Sequence, residues 1–189
     1  MAVDVFLVIP NLAASGPVPI TVSAEPIQDE YFATTFKGAA VVEVRTFTVG
    51  VENTTTIGTA TSGAGIGKAQ FEELVIDKPV DKLSRSLFAL SVTGAHLKKV
   101  QLYLRRSGGE YGARPYLVYG FETVFINKID WSVSSGDDYP FERVTFLYGA
   151  LALGYYAQRP DGTLEAPTKM SWSQILNKQA ETDLILSGF

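Results

Sequence analysis

Two pairs of neighbouring acids, Glu72–Glu73 and Asp137–Asp138, one histidine, His96, and the glycine-rich run "GAGIGKA" are the residues whose types could carry chemistry. Paired carboxylates do acid–base work only when both face one substrate. Consecutive residues of a strand point to opposite faces, so Glu72 and Glu73 do not form a dyad. Asp137 and Asp138 lie in "SSGDDYP", a turn by its composition, where both carboxylates are solvated.

His96 has few partners of the right kind. The chain contains no cysteine, so a zinc site would need His96 with carboxylates, a poor donor set for that metal, and disulfide or thiolate chemistry is excluded. No G-x-S-x-G elbow offers a nucleophile to a histidine base. The run "GAGIGKA" fails as a phosphate loop: Ala69 stands where the hydroxyl after Lys68 is needed, and Ser62 stands at the first glycine position. It also leads into a strand-like run rather than a helix N-terminus. The reading is of a chain that is not an enzyme, with no catalytic, cofactor-binding or metal-binding residue and no cofactor.

The elements around these residues are mostly strands. Val3–Ile9, Val41–Val49, Phe71–Ile76, Tyr116–Ile126 and Ile129–Val133 (two strands, or one bent around Asn127), and "TKMSWSQI" all carry strand composition. In "KKVQLYLR", residues 98–105, Val100, Leu102 and Leu104 share one face, with Lys99, Gln101, Tyr103 and Arg105 on the other. Lys98, Lys99, Arg105 and Arg106 then read as a wet face and its turn. "PITVSAEP" reads as a short edge strand between its prolines. Residues 141–157 are apolar on both faces, which calls for burial against a second sheet or a neighbouring chain.

One stretch departs from this pattern. In "VDKLSRSLFALSVTG", Leu83, Leu87 and Leu90 recur at helical spacing, Ser84 or Asp81 suits an N-cap, and Gly94 suits a left-handed C-terminal cap. A short helix over about residues 84–93 is predicted, stabilised by docking on a sheet.

At 189 residues the chain fits one domain, and 19% charged residues is too few for a wholly disordered chain. A net charge of −4 gives no electrostatic footprint for nucleic acid. No window approaches the length of a membrane helix, and the opening "MAVDVFLVIPNL" lacks the basic start and cleavage site of a signal peptide. Neither nucleic-acid binding nor membrane insertion is expected.

Taken in order, several segments resemble the Hcp family, the tube protein of bacterial type VI secretion. "MAVDVFLVI" is similar to that family's opening strand. "GAGIGKAQFEELVIDKPVDKLSRSLFALSVTGAHLKKVQLYLRRSGGE" resembles its glycine loop, strand, D-K-x-S helix start, helix, strand and basic-glycine turn. "YGFETVFINKIDWSVSSGDDYPFERVTFLYGALALGYYAQRPDGT" and "MSWSQ" resemble its later strands. The chain departs from the pattern at Arg85, where the family often has proline, in a longer first connection (10–40), and in an added tail (177–189).

The resemblance implies a mainly β fold: a single compact β-barrel of two packed sheets with one docked helix. It implies a homohexameric ring, stacked into a tube and ejected by a contractile apparatus with sheath, spike and baseplate components, with small effector proteins carried in the lumen. Assembly would be in the bacterial cytoplasm, followed by secretion without a signal peptide. A tail tube of another contractile injection system is the alternative, and a β-barrel hydrolase the reading from a different class. The long Thr-rich loop 50–67 suits a contact with a neighbour or the next ring, with Asn53, Thr55, Ile57 and Thr59 as its contact residues.

Overall fold

The structure is a computed structural model that describes residues 3–53, 69–106, 114–159, 163–181 and 186. Its strands are β1 (Val3–Ile9), β2 (Ala40–Val44), β3 (Thr46–Thr48), β4 (Val51–Asn53), β5 (Ala69–Phe71), β6 (Leu74–Pro79), β7 (His96–Arg106), β8 (Pro115–Ser132), β9 (Phe141–Leu147), β10 (Ala150–Tyr155) and β11 (Thr168–Ser173). Helix α1 is Glu30–Thr35 and helix α2 is Lys82–Thr93.

All strand pairs are antiparallel. The main sheet runs β2-β1-β7-β8-β9-β6-β3, with β10 beside β8 and β11 beside β10, and β4–β5 form a separate ribbon. The expected mainly β class with a docked helix holds, but among the described residues the sheet does not close into a barrel by its ladders. Its end strands β2 and β3 are separated in the chain only by Arg45. The Arg45 amide donates to the Asp77 carbonyl at 2.8 Å, while Thr46 registers with the same residue. Two residues against one make a bulge, which turns the chain from β1 on one margin of the sheet to β6 on the other.

Strand β8 is the single bent strand of the two alternatives, and its register slips between Ile126 and Lys128, leaving Asn127 as the extra residue. The 141–157 run is broken at Tyr148–Gly149 into β9 and β10, which pair with successive parts of β8. "PITVSAEP" forms no strand; Thr21 only bridges to Ala13.

Apolar side chains cover both faces of the sheet. On one face Leu7, Ile76, Leu102, Phe121 and Val144 pack with Leu83, Leu87 and Leu90 of α2. On the other, Phe6, Val8, Tyr103, Val118 and Ala152 pack with Phe32 and Phe36 of α1. Helix α1 was not anticipated, and it covers the middle of the face that Lys99 and Arg105 share, while Lys98 and Arg106 stay exposed as expected. Gln101 and Tyr103 are fully buried, the latter with ring centroids 4.9 Å from Phe36 and 6.0 Å from Phe32.

Helix α2 begins two residues earlier than expected because Asp81, not Ser84, is its N-cap. The Asp81 carboxylate accepts from the Leu83 amide at 2.8 Å, and Ser84 Oγ accepts from the Asp81 amide at 2.9 Å, so the two residues share one capping box. Gly94 ends the helix at φ 67°, the left-handed cap its position suggested.

Under that first turn lies a buried ion pair. The Lys78 and Glu142 side chains are both 0% exposed and meet at 2.9 Å. The three ammonium protons of Lys78 are taken by Glu142, Asp81 at 2.7 Å and the Pro79 carbonyl at 2.8 Å. Glu142 also accepts from Ser84 Oγ at 2.7 Å and Trp131 Nε1 at 3.0 Å. One cluster therefore ties α2 to β6, β8 and β9.

Replacing Lys78 by Met leaves the Glu142 charge buried without its cation, a change that costs about 3–5 kcal/mol. Urea unfolding should show that loss, and Lys78→Met/Glu142→Leu should recover part of it. A double variant no more stable than Lys78→Met would show that the two charges are not coupled.

Candidate functional site

The residues weighed for chemistry do not converge. His96 opens β7, exchanges backbone hydrogen bonds with Ser15 at 2.8 Å and lays its ring 4.9 Å from Phe125. Glu72 and Glu73 lie in the link between β5 and β6. The Glu72 carbonyl accepts from the Tyr148 hydroxyl at 2.7 Å, and the Glu73 carboxylate accepts from Asn127 Nδ2 at 2.6 Å. Asp137 closes its own turn, accepting from the Ser134 amide at 2.9 Å. Among the described residues no group of three or more His, Asp or Glu side chains could hold a metal ion. The phosphate-loop comparison falls on residues 62–69, of which only Ala69, the first residue of β5, is described.

The basic residues of β7 are dispersed rather than gathered into a wet patch. Arg105 Nε donates to Asp4 at 3.2 Å, and its terminal nitrogen lies 2.6 Å from Asp29. Its guanidinium sits over Phe6 and Phe32, 4.8 and 5.6 Å from the ring centroids. Asp29 is the N-cap of α1 and accepts from the Phe32 amide at 3.1 Å. Arg106 lies over Tyr116 instead, and Lys99 sits opposite Glu122. Partial burial lowers the Lys99 pKa and raises that of Glu122, each shift opposed by the charge of the other.

The outward apolar surface is better suited to docking than to catalysis. Strand β10 buries Ala150 and Ala152 on one face and presents Leu153 and Tyr155, 40% and 45% exposed, on the other. Leu153 pairs across the strands with Met170 of β11, itself 54% exposed. This is the open side of the run that the sequence marked as apolar on both faces. Helix α2 adds Phe88 and Val92, both exposed, with Phe88 6.0 Å from the Trp131 ring.

Of the expected contact residues, Asn53 ends β4, is exposed and pairs in register with Ala69 of β5. Thr55, Ile57 and Thr59 lie outside the described residues. The β10–β11 face was not singled out residue by residue, although the two-faced apolar pattern of 141–157 was its signal.

Comparison with known proteins gives consistent matches. A family model described as "Type VI secretion system effector, Hcp" matches residues 24–155. Protein hcp1 of Pseudomonas aeruginosa is 29% identical over 114 residues, which are 60% of this chain and 70% of that protein. A solved structure of a type six secretion system protein superposes with a TM-score of 0.74 at 22% identity, covering 95% of this chain and 100% of that one. Hcp1 from Salmonella typhimurium superposes with a TM-score of 0.66 at 19% identity, over the same shares. At such identities these two structures establish a shared fold.

The Arg105 hub has a testable pH signature. Burial raises the Asp29 pKa, but the Arg105 hydrogen bond and charge and the Phe32 amide outweigh it, so the value falls below the ordinary 3.8. Folding thus favours ionised Asp29: its contribution is full above the ordinary value and is lost as pH falls through the lower folded one. Asp29→Asn keeps the cap and removes the charge. Its melting temperature should lie below wild type near neutral pH and converge with it at low pH; parallel profiles would refute the coupling.

Proposed function

The chain belongs to the Hcp family of type VI secretion proteins and is a tube subunit of that system, and on that premise we propose that it closes into hexameric rings that stack. The family match over residues 24–155 carries this reading. Cyclic closure needs two different faces on each subunit. The Leu153–Tyr155–Met170 face supplies one, a sheet surface whose apolar side chains are open. The β4–β5 ribbon supplies the other, leading into the loop with Thr55, Ile57 and Thr59 beyond Asn53. The whole chain acts as one Hcp-like domain, with 10–40 as a long first connection and 177–189 as an extension.

The rings assemble in the bacterial cytoplasm, dock with sheath, spike and baseplate components, and are secreted with the tube. Small effector proteins held in the lumen would travel with them. The role is structural and has no catalytic step; the placing of the Glu73 and Asp137 carboxylates on separate partners supports that view.

Light scattering during size exclusion tests the assembly. The wild-type particle should have six times the chain mass, and Leu153→Asp/Met170→Asp should reduce it to a monomer with unchanged far-ultraviolet circular dichroism. A wild type that stays monomeric at every concentration would sink the ring. An intact ring in the variant would remove only the β10–β11 contact.

A further inference from the structure

The bulge at Arg45 leaves one margin of the sheet open. Strand β2 pairs with β1 along one edge, and no strand among the described residues pairs with its other edge. Beyond the bulge, β3 pairs with β6 from Asp77 to Val75, while no ladder among the described residues joins β2 to Lys78 or Pro79. Backbone groups of alternate residues in a strand point to the same edge. The Arg45 amide reaches Asp77, so those of Glu43 and Val41 face the gap.

The gap is a cleft of about 820 Å³. It is lined by the segment Glu25–Asp29 leading into α1 and by Pro79, Asp81 and Phe141. Its charge is unbalanced. Five carboxylates line it (Asp4, Glu25, Asp29, Glu43 and Asp81) against two guanidiniums, Arg45 and Arg105. Arg105 is taken by Asp4 and Asp29, and Asp81 shares Lys78 with the buried Glu142. Arg45 lies over the Phe141 ring, 4.9 Å from its centroid. Glu25 and Glu43 remain as exposed acids on the rim.

We infer that this cleft receives an extended basic segment of another protein, added as a strand along the open edge of β2. Main-chain hydrogen bonds would come from Val41 and Glu43, as in strand addition generally. Side chains of an added strand alternate between the faces of the sheet. Those on the face of Glu43 meet Glu25, Glu43 and the Phe6 side of the cleft, and suit lysine or arginine. Those on the face of Val42, which points into the apolar core, suit aliphatic residues. The occupant is thus a short stretch of alternating basic and apolar residues. The inference does not depend on the tube reading.

The test uses a fluorescein-labelled heptapeptide, Lys-Val-Lys-Val-Lys-Val-Lys with blocked ends, titrated by anisotropy against the protein in its native assembly state. Saturable binding is expected, at least about tenfold weaker for the exposed double variant Glu25→Lys/Glu43→Lys. A peptide with N-methyl groups on the edge-facing amides keeps its charge and should also bind at least about tenfold more weakly. No saturable binding, or equal binding by a Glu-Val peptide or by the double variant, overturns the proposal. Undiminished binding of the N-methylated peptide overturns the strand addition. A fall in particle mass as the peptide binds would give the cleft to a second copy of this chain and overturn it as well.

Discussion

The buried Lys78–Glu142 pair is the constraint on which the rest of the structure depends. A lysine and a glutamate can lie wholly out of water only if nearly every proton and lone pair finds a partner. That requirement fixes the start of α2, because Asp81 and Ser84 serve the helix cap and the ion pair together. It also fixes where β6 and β9 lie beneath the helix and where the Trp131 indole must point. Exchanging the pair for apolar residues need not weaken the fold by much, but it would remove the reason for this one helix position.

The second organising fact is that the sheet is apolar on both faces while the described elements cover only parts of each. Helix α2 sits against one face and α1 against the other. Strands β10 and β11 extend past this cover, and their open apolar side chains are what a subunit of a larger assembly needs. Of the acids weighed for chemistry, the Glu73 and Asp137 carboxylates lie on separate local partners.

Helix α2 was legible because its signals are local: leucines at helical spacing, a capping acid before them and a glycine after. The slip at Asn127 was legible for a similar reason, as a polar residue interrupting a strand. Helix α1 was not. Its six residues sit in a Pro- and Ala-rich stretch, and Phe32 and Phe36, four apart after the capping Asp29, were its only signal. That omission spread to β7, since alternation tells which residues share a face but not whether a helix will cover it. Gln101 and Tyr103 shared a face with residues read as wet but are buried, and Arg105, read as part of that wet face, holds Asp4 and Asp29. The ends of the sheet were illegible because they depend on one bulged residue, Arg45.

Strand β1 lies between β2 and β7, and its ion-pair partner across that second edge, Arg105, stands 101 residues after Asp4. A ribosome adds about 5–20 residues each second, so the "VFLVI" edge waits about 5–20 s for its second neighbour. During that time the nascent chain carries an apolar strand with one side uncovered, beside other copies growing on the same message. Prompt pairing with β2 shields one side only. The fold therefore matures late in synthesis, and the subunit must finish itself before it can safely meet its own kind.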